Sequence, residues 1–251
     1  MRGTGMLFGR VLLGGACISM LVGCAAGESF KQILPGIHLD QRSKTIAVDG
    51  AICLRKGILE YVAVAEGGKE YESALRLYCR PAHLQQAMLM AGYEVSEVPR
   101  AAWGDYGADA DGERSTDAPA AAEPPASYWE KRAGKPEYVC MSVEVTGADG
   151  VVTRVPVEDL LIDRRTGESP EPLRWVFTGS YFDEGGRDRP AVFAADESRS
   201  VIALWYDPSC VLNLAEDVGN PYRGEDIGIE AGEGSVPALN TPVRLIIRPT
   251  D

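Results

Sequence analysis

The chain has 251 residues, of which 45% are hydrophobic and 25% are charged, and this balance excludes a collagen-like or wholly disordered protein. Its formal net charge at pH 7 is −12 and it has only two histidines, which argues against a nucleic-acid partner and against a histidine-rich metal site. The sequence contains no phosphate-binding loop, metalloprotease motif, nucleophile elbow or Cys-x-x-Cys pair, and it predicts neither a cofactor nor a metal.

The N-terminal segment has the pattern of a bacterial secretory signal. Arg2 and Arg10 are basic, no acidic residue comes before Glu28, and residues 11–22 form an apolar run. This run is shorter than the about 20 apolar residues that a membrane-spanning helix needs. We therefore predict that residues 1–23 are a signal peptide that is removed on export.

The apolar run ends in Leu21-Val22-Gly23-Cys24, which resembles the lipobox of bacterial lipoproteins. A small residue precedes the cleavage point, and the thiol of Cys24 would accept acyl chains such as palmitate. Each chain contributes about 0.8 kcal/mol of membrane-binding free energy per buried CH2. The alternative is an ordinary signal with a chance cysteine. Residues 24–42 are then predicted to be a lipidated tether, and Ala25 in place of aspartate is typical of export to the outer membrane in bacteria with two membranes.

Strand and turn patterns begin at residue 43. Short apolar runs are separated by Asp49-Gly50 and Gly67-Gly68, which are typical hairpin signals. Residues 58–65 are apolar on both faces and predict a central strand. Residues 70–78 predict a further strand.

One amphipathic helix is predicted at about residues 81–91. Pro81 suits the first helical turn and Gly92 suits the position after the last one. Apolar residues recur at helical spacing and form one face, which consists of Leu84, Ala87, Met88 and Ala91. Together with the strands, this helix predicts an α+β, β-rich fold of antiparallel sheets with one main helix.

The composition changes sharply in the middle of the chain. Residues 108–126 are rich in Ala, Asp, Glu and Pro, which predicts a mobile acidic insert at about residues 104–127. Strand patterns resume at 138–145 and continue to 243–248. Because neither block is large by itself, residues 43–250 are predicted to form a single domain around one core.

Four of the six cysteines lie in this predicted domain, and they are Cys53, Cys79, Cys140 and Cys210. In an oxidising compartment they could form two disulfides, and the alternative is that they are buried free thiols. Their wide separation along the sequence argues against a metal knuckle.

Several segments occur in an order that is similar to a known family. They are KGILEYVAVAEGGKEYESAL, RPAHLQQAMLMAGYE, RVPVEDLLIDRRTG, LRWVFTGSYF, SVIALWYDPSCVLNL and TPVRLIIRP. In this order they resemble the YdjY-type family of bacterial exported proteins over most of residues 43–250. That family usually has histidine where this chain has Tyr71, and the acidic insert is a second difference. The resemblance implies a fold but no established activity. Iron–sulfur modules accompany some relatives, but this chain lacks the clustered cysteines that such modules need.

Three glutamates are candidate ligand-binding or acid–base residues. Glu70 and Glu72 lie two apart on a predicted strand, so their carboxylates are expected on one face. Glu60 lies on an otherwise apolar strand and needs a partner, for which Arg80 and Arg154 are candidates. Three neighbouring carboxylates could bind a cation or shift one pKa, and the alternative is that Glu70 and Glu72 simply face water.

His83, Trp175 and Trp205 complete the set of candidate ligand-binding residues. His83 could act as a ligand or base at the start of the predicted helix, or could be a structural histidine bonded to a backbone carbonyl. Trp175 and Trp205 could stack on a sugar, such as a cell-wall glycan, or on a peptide, or could belong to the core.

Three classes of function fit these features. The first is a lipid-anchored binding or scaffolding module that contacts an envelope protein or a cell-wall glycan. The second is a metal-assisted, carboxylate-based or redox-accessory enzyme that uses the region of Glu60, Glu70, Glu72 and His83. The third is a purely structural envelope protein. The predicted location and the lack of a catalytic signature favour the first class.

Overall fold

The protein was analysed as a computed structural model that describes residues 28–96, 137–147, 149–185, 190–215, 218 and 227–250. The predicted signal peptide, Cys24 and the acidic insert lie outside these residues. In the described part, no helix has both the length and the apolar character needed to cross a membrane.

Strands dominate the described part of the chain. They are β1 Lys31–Leu34, β2 Ile37–Asp40, β3 Thr45–Ile52, β4 Ile58–Leu59, β5 Tyr61–Ala65, β6 Ser73–Leu77, β7 Tyr138–Thr146, β8 Val152–Pro156, β9 Leu161–Asp163, β10 Trp175–Phe177, β11 Phe182–Asp183, β12 Val192–Phe193, β13 Ser200–Ala203, β14 Leu212–Leu214, β15 Ile229–Ala231 and β16 Pro242–Pro249. Helix α1 is Pro81–Ala91 and helix α2 is Ala194–Ser198, and two short 3-10 turns lie at Glu70–Glu72 and Val157–Leu160.

Eight strands form a closed barrel in the order β3-β16-β7-β10-β14-β13-β5-β6, because β6 pairs back with β3. Most of these pairs are antiparallel, but β5 pairs with β6 and β13 pairs with β14 in parallel. The β-rich character of the prediction is therefore confirmed. The closure of the barrel and the two parallel pairs go beyond the antiparallel sheets that were expected.

A second, open sheet shares three strands with the barrel. Its order is β1-β2-β3-β16-β7-β8, and all of its pairs are antiparallel. The expected tether at residues 24–42 is therefore wrong in part, since β1 and β2 belong to this sheet. Ile37 and Leu39 lie on one face of β2 and are buried in the core, which is the reason that so short a strand is held in place.

The predicted turn at Asp49-Gly50 is also wrong, because both residues lie inside β3. Gly50 pairs with Leu77 where β3 meets β6 and the barrel closes. A Cβ atom at Gly50 would lie 2.5 Å from the carbonyl oxygen of Arg76. The glycine therefore permits the close approach of two strands rather than a change of direction.

Helix α1 agrees with its prediction in both bounds and buried face. Leu84, Ala87, Met88 and Ala91 are buried, and Gly92 ends the helix in the left-handed conformation with φ of 86°. The helix packs against β1, β2 and β3 and contacts α2. One hydrophobic cluster joins α1 to apolar residues from both blocks of the chain.

Candidate functional site

The parallel pairing of β5 and β6 brings two glutamates together. Tyr61 of β5 lies opposite Ser73 of β6, so the residues that precede them, Glu60 and Glu72, are neighbours at the same end of the two strands. The backbone N–H of Glu60 donates to the carbonyl oxygen of Glu72 over 3.0 Å. Lys69 lies in the turn just before the 3-10 segment, where it faces both carboxyl groups.

Lys69 is the positive centre of this group of residues. Its Nζ lies 3.4 Å from Oε2 of Glu60, 3.9 Å from Oε2 of Glu72 and 3.4 Å from the hydroxyl of Tyr61. The ammonium also lies 5.3 Å from the centre of the Tyr61 ring, within the range of a cation–π contact. The Lys69 side chain is 45% exposed but that of Glu60 only 15%, so solvent can reach the cation more easily than the carboxylate.

The polar contacts continue from this surface to a buried aspartate. The hydroxyl of Tyr61 donates to Oδ2 of Asp207 over 3.2 Å. Asp207 also accepts hydrogen bonds from the backbone and side chain of Ser209, and its backbone N–H donates to Oδ1 of Asn213. We call Glu60, Tyr61, Lys69, Glu72 and Asp207 the Lys69 cluster.

Burial changes the acid–base properties of this cluster. Desolvation raises the pKa of Glu60, and the charge of Glu72 and a side-chain hydrogen bond with it act in the same direction. The charge of Lys69 opposes this rise without cancelling it. Burial acts to lower the pKa of Lys69, but the charge of Glu60 and a hydrogen bond with it leave the pKa above its ordinary value. The cluster therefore holds a proton on a carboxyl group more readily than free glutamate does.

Glu70 does not share a face with Glu72, contrary to the prediction. Both residues lie in the 3-10 turn rather than on a strand, and successive residues of such a turn point about 120° apart. Glu70 instead accepts a hydrogen bond from Arg76 over 3.1 Å and one from the backbone N–H of Gly67 over 2.8 Å. The expected group of three carboxylates is reduced to Glu60 and Glu72.

The arginines that were candidate partners of Glu60 have other partners. Arg80 pairs with Asp196 of α2. Arg154 pairs with Glu28 and Glu144. The partner of Glu60 is Lys69, nine residues further along the chain.

Arg154 forms a second ionic cluster on the open sheet. Its two Nη atoms contact the two carboxylate oxygens of Glu28 at 2.9 and 2.5 Å, and Nη2 lies 2.6 Å from Oε1 of Glu144, the residue opposite it on β7. These hydrogen bonds hold the pKa of Glu28 below its usual value and raise that of Arg154. We call Glu28, Glu144 and Arg154 the Arg154 cluster.

His83 lies in the first turn of α1, and the two tryptophans differ in burial. Nδ1 of His83 is buried without a hydrogen-bond partner among the described residues, so the predicted bond to a backbone carbonyl is not formed there. Trp175 lies on β10, fully buried in the core, so the idea that it stacks on a ligand is wrong. Trp205 is only partly buried, and its Nε1 has no hydrogen-bond partner in the described part of the chain.

All four cysteines of the described residues are free thiols, so neither of the two possible disulfides is formed. Burial raises the pKa of Cys53 to about 12 and that of Cys79 to about 12, and it also raises the pKa of Cys210. Thiols with such pKa values are poor nucleophiles. Within the described ranges, no group of three or more His, Cys, Asp or Glu residues is arranged to hold a metal ion.

Sequence reasoning missed Lys69, Tyr61 and Asp207 as members of the site. Lys69 lies three residues before Glu72 and nine residues after Glu60 in the sequence. Its contact with both carboxyl groups depends on the parallel pairing of β5 and β6, which no local pattern reveals. Asp207 approaches Tyr61 from 146 residues away in sequence.

In comparisons with known proteins, no family model, no curated protein and no solved structure matches this chain. The resemblance to the YdjY-type family therefore remains an expectation from the sequence segments.

Proposed function

We propose that this protein is a lipid-anchored component of the bacterial cell envelope, related to the YdjY-type family, and that it acts as a binding or scaffolding module. The observation that carries the proposal is Leu21-Val22-Gly23-Cys24 at the end of a signal-like apolar run. Ala25 supports the outer membrane as the destination in a bacterium with two membranes. An anchored envelope protein or a cell-wall glycan is the partner that such a location favours.

Lipidation is tested by expressing the full chain in a bacterial host that is fed labelled palmitate. We expect label in the wild type and none in Cys24→Ala, while the matched control Cys17→Ala keeps it because Cys17 lies inside the predicted signal. Label that persists in Cys24→Ala would refute the assignment of the anchor.

We further propose that the Lys69 cluster contacts the ligand. It combines a half-exposed ammonium with two carboxyl groups that lie 3.4 and 3.9 Å from it and an aromatic ring within cation–π distance. Hydroxyl and amide groups of a glycan or peptide can exchange hydrogen bonds with such a set.

In a sedimentation assay with purified cell-wall sacculi, Lys69→Met should reduce binding. Lys56→Met is the control because Lys56 is exposed and pairs only with the exposed Glu233 in the described part. Equal binding by wild type and Lys69→Met argues against this site.

A carboxylate-based enzyme is the second candidate, and the raised pKa of Glu60 beside Glu72 favours it. A protonated and an ionised carboxyl group in contact can act as a general acid and a general base. This alternative predicts that the wild type releases soluble fragments from cell-wall material and that Glu60→Gln and Glu72→Gln both abolish the release. The absence of released fragments would leave the binding module as the better account.

A further inference from the structure

The N-terminal end of the described domain is fixed to the outer face of the open sheet. Glu28 accepts two parallel hydrogen bonds from the guanidinium of Arg154 on β8, an arrangement that restrains both position and orientation. One residue further on, the backbone N–H of Ser29 donates to Oδ2 of Asp40 over 3.0 Å. The first described residues of the chain therefore lie against the face of the sheet that carries Arg154.

Covalent geometry limits how far Cys24 can lie from this contact. Only four residue steps separate Cys24 from Glu28, and an extended chain spans about 3.5 Å per residue, or about 14 Å in all. If Cys24 carries the lipid, as the proposed function holds, the membrane surface must lie within about that distance of Glu28. A tether this short leaves the domain little freedom to turn its other faces towards the lipid.

The part of the surface nearest to this point carries exposed apolar side chains. Val151 is 58% exposed and Val152 is 56% exposed at the tip of the β7–β8 hairpin. Val152 and Arg154 are two residues apart on one strand, so they lie on the same face, separated by about 7 Å. Arg248 on β16 is exposed, and its charge contributes to the lowered pKa of Glu28. Exposed valines beside an arginine suit the boundary between lipid headgroups and acyl chains.

Helix α1 packs against β1, β2 and β3, on the face of these strands opposite to the Arg154 side of the sheet. Leu84 and Met88 of α1 belong to the same hydrophobic cluster as Val48 of β3 and Val143 of β7, which point away from Glu144 and Arg154. The exposed Leu89 of α1 therefore lies on the far side of the sheet from the Arg154 cluster.

We propose that the outer face of the β7–β8 hairpin rests on the lipid bilayer that holds Cys24, with Val151 and Val152 at the bilayer surface and the Glu28–Arg154 pair setting the orientation. The chain as a whole is acidic, with a net charge of −12, so general electrostatic attraction does not bring it to an anionic membrane. The orientation depends instead on three features: the short segment between Cys24 and Glu28, the hydrogen bonds from Arg154 to Glu28, and the exposed valines at the tip of the hairpin. This inference rests on the proposed lipidation and adds which face meets the membrane.

The test uses the full lipidated chain in vesicles of phosphatidylethanolamine with a minor share of phosphatidylglycerol. An environment-sensitive fluorophore is attached to Val152→Cys and, on the opposite face, to Leu89→Cys, and unsubstituted protein gives the background from the native thiols. We expect a blue shift and several-fold stronger quenching by headgroup nitroxide lipids at position 152 than at position 89. Arg154→Met in the Val152→Cys protein should reduce this difference while leaving the acyl mass on Cys24 unchanged.

A longer tether provides a second variant that does not disturb the sheet. Insertion of about eight Gly/Ser residues after Gly27 adds up to about 28 Å of reach, so quenching at position 152 should fall towards that at position 89. Equal quenching at both positions in protein whose mass includes the lipid would overturn the orientation and leave lipidation intact. A mass without acyl chains would overturn both proposals.

Discussion

The Lys69 and Arg154 clusters each set one positive charge against two glutamates, but the pKa of one glutamate in each cluster, Glu60 and Glu28, moves in opposite directions. In the Arg154 cluster, the guanidinium lies 2.5 and 2.6 Å from the two carboxylates. In the Lys69 cluster, the ammonium lies 3.4 and 3.9 Å from them. The pKa of Glu28 is lowered in the first cluster, whereas that of Glu60 is raised in the second.

The shape of the cation and the burial of the acid explain the difference. A guanidinium has several N–H donors in one plane and can serve two carboxylates with short hydrogen bonds. An ammonium is a single point of charge, and here it also contacts the Tyr61 hydroxyl. Desolvation is the largest influence on Glu60, so one shared cation does not restore the free energy that its ionised form loses on burial. A cation that donates short hydrogen bonds to both carboxylates stabilises the structure. A cation with longer and fewer contacts leaves a carboxyl group available for proton exchange or ligand binding.

The largest effect should follow from Arg154→Met. The substitution leaves Glu28 and Glu144 without their cation and frees residues 28–30, so we expect the free energy of unfolding to fall by about 1.5 kcal/mol at neutral pH, a value that allows for solvent screening of these exposed hydrogen bonds. Urea denaturation measures this loss. The control Arg80→Met removes a more exposed arginine from Asp196 and should cost no more than about 0.5 kcal/mol. Equal losses in the two variants would contradict the special role of the bidentate contact.

Lys69→Met should have a smaller effect, about 1 kcal/mol at neutral pH, because the lysine is half exposed and its contacts are longer. The loss should shrink on acidification, since the carboxyl group of Glu60, whose pKa is raised, then takes up a proton and no longer needs the cation. Lys56→Met is the matched control and should change the unfolding midpoint very little. A loss that grows on acidification would mean that Lys69 acts through something other than these carboxylates.

The sequence predicted the elements whose formation depends on residues close together in the chain. The α1 helix follows from Pro81, Gly92 and a four-residue apolar face, and the alternation of residues 138–145 predicted β7. Closure of the barrel depends on the pairing of β3 with β6, which joins segments that no short window connects. Gly50 shows the limit most clearly, because the same glycine suits a turn or a close strand crossing and only the partner strand decides between them.

The candidate site was predictable only in outline. That Glu60 needs a partner followed from its apolar neighbours, and the structure provides Lys69. The partner was not predicted, because Glu70–Glu72 was taken for a strand and the parallel register of β5 and β6 has no sequence signature. From the sequence alone Trp175 is a candidate for either a ligand contact or the core, because an aromatic residue on a strand suits both until its neighbours are known, and the structure places it in the core.

The last prediction has the smallest effect on the free energy of unfolding but distinguishes the two clusters most specifically. The stability that Glu28 contributes and the stability that Glu60 contributes should change with pH in opposite directions. The lowered pKa of Glu28 means that its stabilisation is present above its ordinary pKa of 4.5 and is lost as the pH falls towards the folded-state value. The raised pKa of Glu60 means that the folded protein binds the proton more tightly than the unfolded one. Stability contributed by Glu60 is therefore lost as the pH rises from 4.5 through the folded-state value.

Glu28→Gln and Glu60→Gln isolate these two contributions. Between about pH 4 and pH 7, the stability of Glu28→Gln should fall progressively below that of the wild type, whereas the stability of Glu60→Gln should rise relative to it. Glutamine at position 60 resembles the protonated acid, since it can still donate to Glu72 and accept from Lys69, so its fold should be retained. Urea midpoints measured across this range give both slopes. Slopes of the same sign would show that the two clusters hold their carboxyl groups alike, and the case for proton exchange or ligand binding at Glu60 would fail with that result.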